Sequence, residues 1–187
     1  LVPENDLEKI KDIAKNHVES IITGDPFNEN TNLGPVVNSK QFESIQSHIQ
    51  NAIDTKCELT IGGIGKPSGL NNGFYIKPTI FSNVPKSHPI AQEEVFGPVL
   101  SIITYKNIDD AISIANDSKY GLSSYITSGD ESTAHEIAKE IKAGQTIINK
   151  ISRGSVPAPF GGFKMSGNGR EHGVFGIEEY LEVKAII

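Results

Sequence analysis

The sequence predicts an α/β fold of three layers, with helices on both faces of a mostly parallel sheet. The main observation is alternation. Short β-prone runs exchange with helical-period segments of roughly 10–15 residues, which is the pattern of βαβ units. Some runs, such as Val99 to Tyr105, are apolar nearly throughout, as strands covered on both faces tend to be. The chain has 187 residues, 37% of them apolar, enough for one domain with a real core.

The elements follow in order. Residues 1–24 read as a strand end and then a helix, because Leu7, Ile10, Ala14, Val18 and Ile21 recur at helical spacing. Asn5 and Glu8 have the spacing of a capping box, and Gly24 is a stop signal. A polar loop over 25–35 leads to a second helix with Phe42, Ile45, Ile49, Ala52 and Ile53 on one face and Asn38 and Gln41 at its cap. Glu58 to Ile61 reads as a strand. The glycine-rich run Gly62 to Gly69 matches no phosphate-binding pattern and reads as a hairpin-like surface loop. Phe74 to Phe81 reads as a strand that lies at an edge or bends, because Pro78 lacks an N–H for the ladder.

Val99 to Tyr105 is the next strand. Asn107 is expected to cap a helix with Ile108, Ala111, Ile112 and Ala115 inward. Leu122 to Thr127 is a strand. Asp130 opens a helix with Ala134, Ile137, Ala138 and Ile141 facing the core and Gly144 at its end, and Thr146 to Asn149 is a strand again. The connection from Lys150 to Gly169 is long and rich in glycine and proline, which marks a functional or a disordered segment. A short helix over 171–180 and an edge strand over 181–187 complete the reading.

The stretch Gln92 to Leu100, Gln-Glu-Glu-Val-Phe-Gly-Pro-Val-Leu, organises the functional reading. In an extended backbone Glu94 and Phe96 share one face. A carboxylate accepts hydrogen bonds from neighbouring hydroxyls, and a ring offers a flat apolar contact, so the pair suits a ribose that carries a heterocycle. Gly97 would allow close approach of backbone to a ligand, and Pro98 fixes the turn. The plain alternative is a polar loop leading into a strand.

Glu93 to Val99 resembles a signature of the NAD(P)-dependent aldehyde dehydrogenases. Leu1-Val2-Pro3-Glu4, Leu33-Gly34-Pro35, Tyr120-Gly121-Leu122 and Pro159-Phe160-Gly161-Gly162 through Arg170-Glu171 fall in the same family's order. The resemblance spans the whole chain. It implies the C-terminal, catalytic-domain portion of such an enzyme over residues 1–180, incomplete at its N-terminus, with 181–187 as an oligomerisation strand.

The resemblance also implies roles. Glu94 matches the residue that holds the nicotinamide ribose, and Phe96 matches the ring near the nicotinamide. Phe160 matches a position lining the aldehyde channel, although ordinary packing explains it as well. Arg170 and Glu182 resemble a pair that ties the domain to its last strand and the subunit interface, and could also be only a surface pair. The cofactor implied is NAD or NADP. In the family a cysteine thiolate attacks the aldehyde, hydride leaves, and a base-activated water releases the acid. The nucleophile, general base and NAD-binding domain are expected upstream of Leu1, so this chain alone is expected to be inactive. The implied partners are an aldehyde, the NAD-binding region of the parent protein, and further copies of the chain through the last strand. A start at Leu1, with Met165 the only methionine, fits a fragment or a processed chain.

Composition limits the alternatives. A net charge of −6 without a Lys/Arg cluster argues against nucleic acid or an anionic membrane as partner. No apolar run approaches the roughly 20 residues of a membrane-spanning helix. A single cysteine suits a reducing compartment, so a cytoplasmic location is expected. Cys57 lacks a polar activating neighbourhood and reads as an inert thiol rather than the nucleophile of a hydrolase. The histidines show no metal spacing. Two further readings remain: a CoA-acylating aldehyde dehydrogenase, and a binding and assembly module without turnover.

Overall fold

Strand β1 (Val2–Pro3) runs through a tight turn into helix α1 (Leu7–Glu19). The structure is a computed structural model and describes residues 1–151 and 155–187. It divides into two units, Leu1–Asn107 and Ile108–Ile187. In α1 the periodic residues Leu7, Ile10, Ala14 and Val18 are half-buried, and so is Lys11, whose ammonium pairs with Glu8 and Glu58. The expected capping box is not formed. Glu4–Asp6 is a 3₁₀ turn, so Asn5 lacks the open backbone that a capping residue needs, and Asp6 precedes the helix without a side-chain bond. The helix ends at Glu19, before Gly24, where the Ser20 N–H and hydroxyl donate to the His17 carbonyl at 3.1 and 2.7 Å.

Helix α2 (Ser39–Asp54) starts as its sequence requires. Asn38 is extended, and its side-chain oxygen accepts from the Gln41 N–H at 2.9 Å. Ile45, Ile49 and Ala52 lie on one face, fully buried, and join Ile76, Phe81, Val84 and Ile90 in the main core. Strands β2 (Glu58–Ile61), β3 (Thr79–Ser82) and β4 (Val99–Ser101) form a sheet with β3 in the centre. Pro78 therefore does not sit in an edge strand. It ends the preceding loop, and the ladder begins one residue later, where every N–H is available. All four residues of β3 are buried.

Helix α3 (Pro89–Gln92) is the crossover between the parallel strands β3 and β4. The expected single strand over 99–105 appears as β4 and β5 (Thr104–Tyr105). Main-chain bonds bridge the break: Ile102 donates to Phe81 at 2.8 Å, and Val2 donates to Ile103 at 3.0 Å. Strand β5 pairs in parallel with β1.

The second unit opens with helix α4 (Ile108–Asn116). Ala111, Ile112 and Ile114 are half-buried there, whereas Ile108 and Ala115 are exposed, contrary to the sequence expectation. Strand β6 (Ser123–Ile126), helix α5 (Glu131–Glu140) and strand β7 (Gln145–Ile148) form a βαβ unit with β6 and β7 parallel. Asp130 caps α5, accepting from the Ser132 N–H at 3.0 Å, and Ala134 is fully buried beneath the helix. Helix α6 (Gly173–Glu178) follows the long connection, of which residues 152–154 lie outside the described residues.

The α/β class is as the sequence predicts. Among the described residues, three of the four pairings between named strands are parallel, and β2 with β3 is antiparallel. Residues 181–187 pair with no strand among the described residues and are exposed throughout. Among the described residues no helix is long and apolar enough to cross a membrane.

Candidate functional site

The loop between α3 and β4 is fixed at both ends and open in the middle. His88 caps α3 by accepting from the Ile90 N–H through Nδ1 at 3.1 Å, and Glu93 N–H closes the helix onto the Pro89 carbonyl at 2.8 Å. At the other end the Pro98 carbonyl accepts from the Thr79 N–H at 2.9 Å. Val95 packs against the core, while Glu94 and Phe96 on either side of it are exposed. Phe96 is 68% exposed, a high value for a large aromatic side chain in the middle of a loop that is otherwise anchored. The Glu94 carboxylate forms no ion pair or hydrogen bond with the described residues.

Glu94 and Phe96 do not share a face of an extended run, because Phe96 has φ +53°. A non-glycine residue in that region is held by its surroundings. Here the Phe96 carbonyl accepts from Gln41 Nε2 at 2.5 Å, which ties the loop to the first turn of α2. Gly97 is needed for a protein contact as well. A Cβ at this position would lie 2.6 Å from Ile45 Cδ1, so the close approach in the structure is to the core of α2. Beside Gly97 and Pro98, a cavity of about 420 Å³ is lined also by Leu33 to Val36 and Ile76.

In the second unit the run Pro159 to Glu171 is tightly tied. Lys164 donates to the carbonyls of Asn116 and Ser118 at 2.9 and 2.8 Å. Phe163 N–H donates to Gly121 at 2.9 Å, and Gly121 N–H donates to the Ser166 hydroxyl at 3.0 Å. Arg170 donates through Nη1 to the carbonyls of Gly162 and Gly169 at 3.0 and 2.8 Å and lies over the Phe163 ring. No ion pair joins Arg170 to Glu182 among the described residues, so Arg170 braces the loop. Phe160 is partly exposed, bridged to Glu171 by reciprocal main-chain bonds of 2.7 and 2.6 Å. It borders a hollow of about 350 Å³ lined also by Leu122, Gly162, Arg170 and Glu179.

The loop anchors Gln41 and Ile45 were not recognised from sequence as parts of the site. Gln41 was visible only as a cap residue, and its bond to Phe96 spans a sequence separation that no local pattern reports. Among the described residues no cluster of histidine, cysteine, aspartate or glutamate could hold a metal ion. Cys57 is a free thiol packed against the core cluster.

Solved structures with the same arrangement belong to α/β enzymes of one kind. Aldehyde dehydrogenase C of Pseudomonas syringae, a mutant complexed with NAD+ and octanal, superposes with a TM-score of 0.94 at 47% identity, over 99% of this chain and 38% of that one. A Mycobacterium tuberculosis aldehyde dehydrogenase complexed with NAD+ gives 0.91 at 39% identity, over 96% of this chain and 37% of that one. A Staphylococcus haemolyticus relative named for the same activity is 49% identical across all of this chain and 39% of its own length. The sequence model of the aldehyde dehydrogenase family matches residues 1–186. The chain belongs to the aldehyde dehydrogenase family, and it spans about 39% of the length of the curated relatives it matches.

Proposed function

We propose that this chain is the C-terminal catalytic-domain portion, residues 1–180, of a longer NAD(P)-dependent enzyme that oxidises an aldehyde to a carboxylic acid. Residues 181–187 serve as its oligomerisation strand. The observation that carries the reading is the anchored loop that leaves Glu94 and Phe96 exposed, with the Glu94 carboxylate unpaired among the described residues. A carboxylate without a protein partner has its acceptor capacity free for two vicinal ribose hydroxyls, and an exposed ring beside it can contact a flat heterocycle. The group fits these residues, and NAD(P) when bound would accept the hydride of the oxidation. Glu94 would hold the ribose, Phe96 would limit the position of the nicotinamide, and Gln41 and Ile45 would keep the loop in place. Phe160 would border the aldehyde's path, and Arg170 would hold that wall through the Gly162 and Gly169 carbonyls.

The named ligands of the relatives support this cofactor class. A reactive cysteine from a preceding segment of the longer protein would supply the nucleophile, since Cys57 is half-buried against the core cluster, away from the Glu94 loop in sequence. The exposed Val183, Ile186 and Ile187 support pairing of the last residues with another copy. In the longer protein, Glu94→Gln is expected to lower turnover more than cofactor affinity. An unchanged turnover number would remove Glu94 from the site. The isolated chain is expected to show no NAD-dependent aldehyde oxidation, and measurable turnover would contradict its being a portion of the catalyst.

A further inference from the structure

His172 occupies a backbone conformation that favours glycine. Its φ is 66° and its ψ 162°, and it directly precedes α6 without capping it through its side chain. That combination of angles is populated almost only by glycine, and a side chain placed there costs conformational energy. Serine, asparagine or glycine would be the economical choices before a helix. Gly173, next in the chain, also has positive φ, and a Cβ there would stand 2.5 Å from the Pro157 carbonyl. The backbone path is thus imposed by its surroundings, while an imidazole is carried at a point that does not favour one.

Among the described residues the imidazole meets one aromatic ring. Its ring lies 6.1 Å from the ring of Phe160, centroid to centroid, with the planes tilted by 39°. This distance and tilt fall within the range of attractive aromatic pairs. The contact is delivered by the main-chain bridge between Phe160 and Glu171, which sets His172 one residue beyond the paired position. Phe160 borders the 350 Å³ hollow, whereas His172 is not among its lining residues. The imidazole therefore touches the wall residue without lining the space.

We infer that His172 is a positioning residue that braces the Phe160 ring and thereby sets which aldehydes the channel accepts. The inference rests on the proposed reading of Phe160 as a channel wall. Without the imidazole the Phe160 ring can swing about χ1 and χ2 over its exposed side, and the hollow changes shape. The effect falls on substrate selectivity, because neither ring is part of the Glu94 loop.

The test uses the full-length protein, with acetaldehyde and octanal as substrates. His172→Gly removes the ring and relieves the backbone, so the variant is expected to melt no lower than the parent. Its ratio of kcat/KM for the two aldehydes is expected to change by roughly tenfold, with the KM for NAD unchanged. His172→Phe keeps a ring against Phe160 and is expected to restore the parent ratio. Phe160→Ala is the control for the channel itself. If Phe160→Ala alters the ratio and His172→Gly does not, the positioning role is overturned and the channel reading stands. If Phe160→Ala leaves the ratio unchanged, the channel reading fails and the inference with it. A His172→Phe variant that behaves like His172→Gly would also overturn it.

Discussion

Replacing Gly97 by alanine would insert a methyl group between the functional loop and the core. The new Cβ would lie 2.6, 2.9 and 3.2 Å from Cδ1, Cγ1 and Cγ2 of Ile45, inside the 3.4 Å at which ordinary contact begins. Gly97 does not have positive φ, so the effect is steric and not conformational. Ile45 is fully buried, and a β-branched residue in a helix has essentially one χ1 well, so it cannot rotate away. Overpacking of this kind costs about 1–3 kcal/mol. Ile45→Val removes the nearest atom, Cδ1, and alone costs about 0.5–1.5 kcal/mol. If the two changes were independent, their costs would sum. Valine keeps Cγ1 and Cγ2, so part of the overlap remains, and the structure predicts that the double variant loses less stability than the sum of the two single changes. Urea unfolding of the four proteins, read as ΔG with a common m value, measures the coupling. Simple additivity would refute the claim that Gly97 is required by Ile45.

Gln41→Ala removes the donor to the Phe96 carbonyl and should raise the KM for NAD in the full-length protein several-fold, with little change in the melting temperature; an unchanged KM would remove Gln41 from the site. Hydrogen bonds from the Thr133 hydroxyl, and then from the Ser132 N–H, hold the Asp130 carboxyl below its ordinary value. The stability this cap contributes is therefore complete above the usual aspartate pKa of about 3.9 and is lost as pH falls through the lower folded value. The melting-temperature gap between parent and Asp130→Ala should be full at pH 6 and shrink in strong acid, and a gap constant with pH would contradict the assignment. Deleting residues 181–187 should lower the oligomeric state of the full-length protein by light scattering, and an unchanged assembly would place the interface elsewhere.

Much of the fold was legible because its signals are local. The apolar period and the Asn38 cap of α2 lie within one short segment, as do Asp130 and the βαβ unit around α5. Pro78 misled because the centrality of β3 depends on which strands pair on either side of it. Within the site, Glu94 and Phe96 could be read from their residue types as a pair suited to a ribose and its heterocycle. The path of the loop could not, because the Phe96 carbonyl is bound by Gln41 and Gly97 lies against Ile45, both from a distant part of the chain. Arg170 differs: the family resemblance implied a pair with Glu182, whereas the guanidinium donates to the carbonyls of Gly162 and Gly169, close in sequence.

A crystal structure of the full-length protein with NAD bound would show what holds the nicotinamide ribose. The Glu94 carboxylate is expected within hydrogen-bond reach, about 2.7–3.2 Å, of the hydroxyls of that ribose, with the Phe96 ring beside the nicotinamide. A cofactor whose nicotinamide ribose is held by other residues, with Glu94 left in solvent, would contradict that expectation.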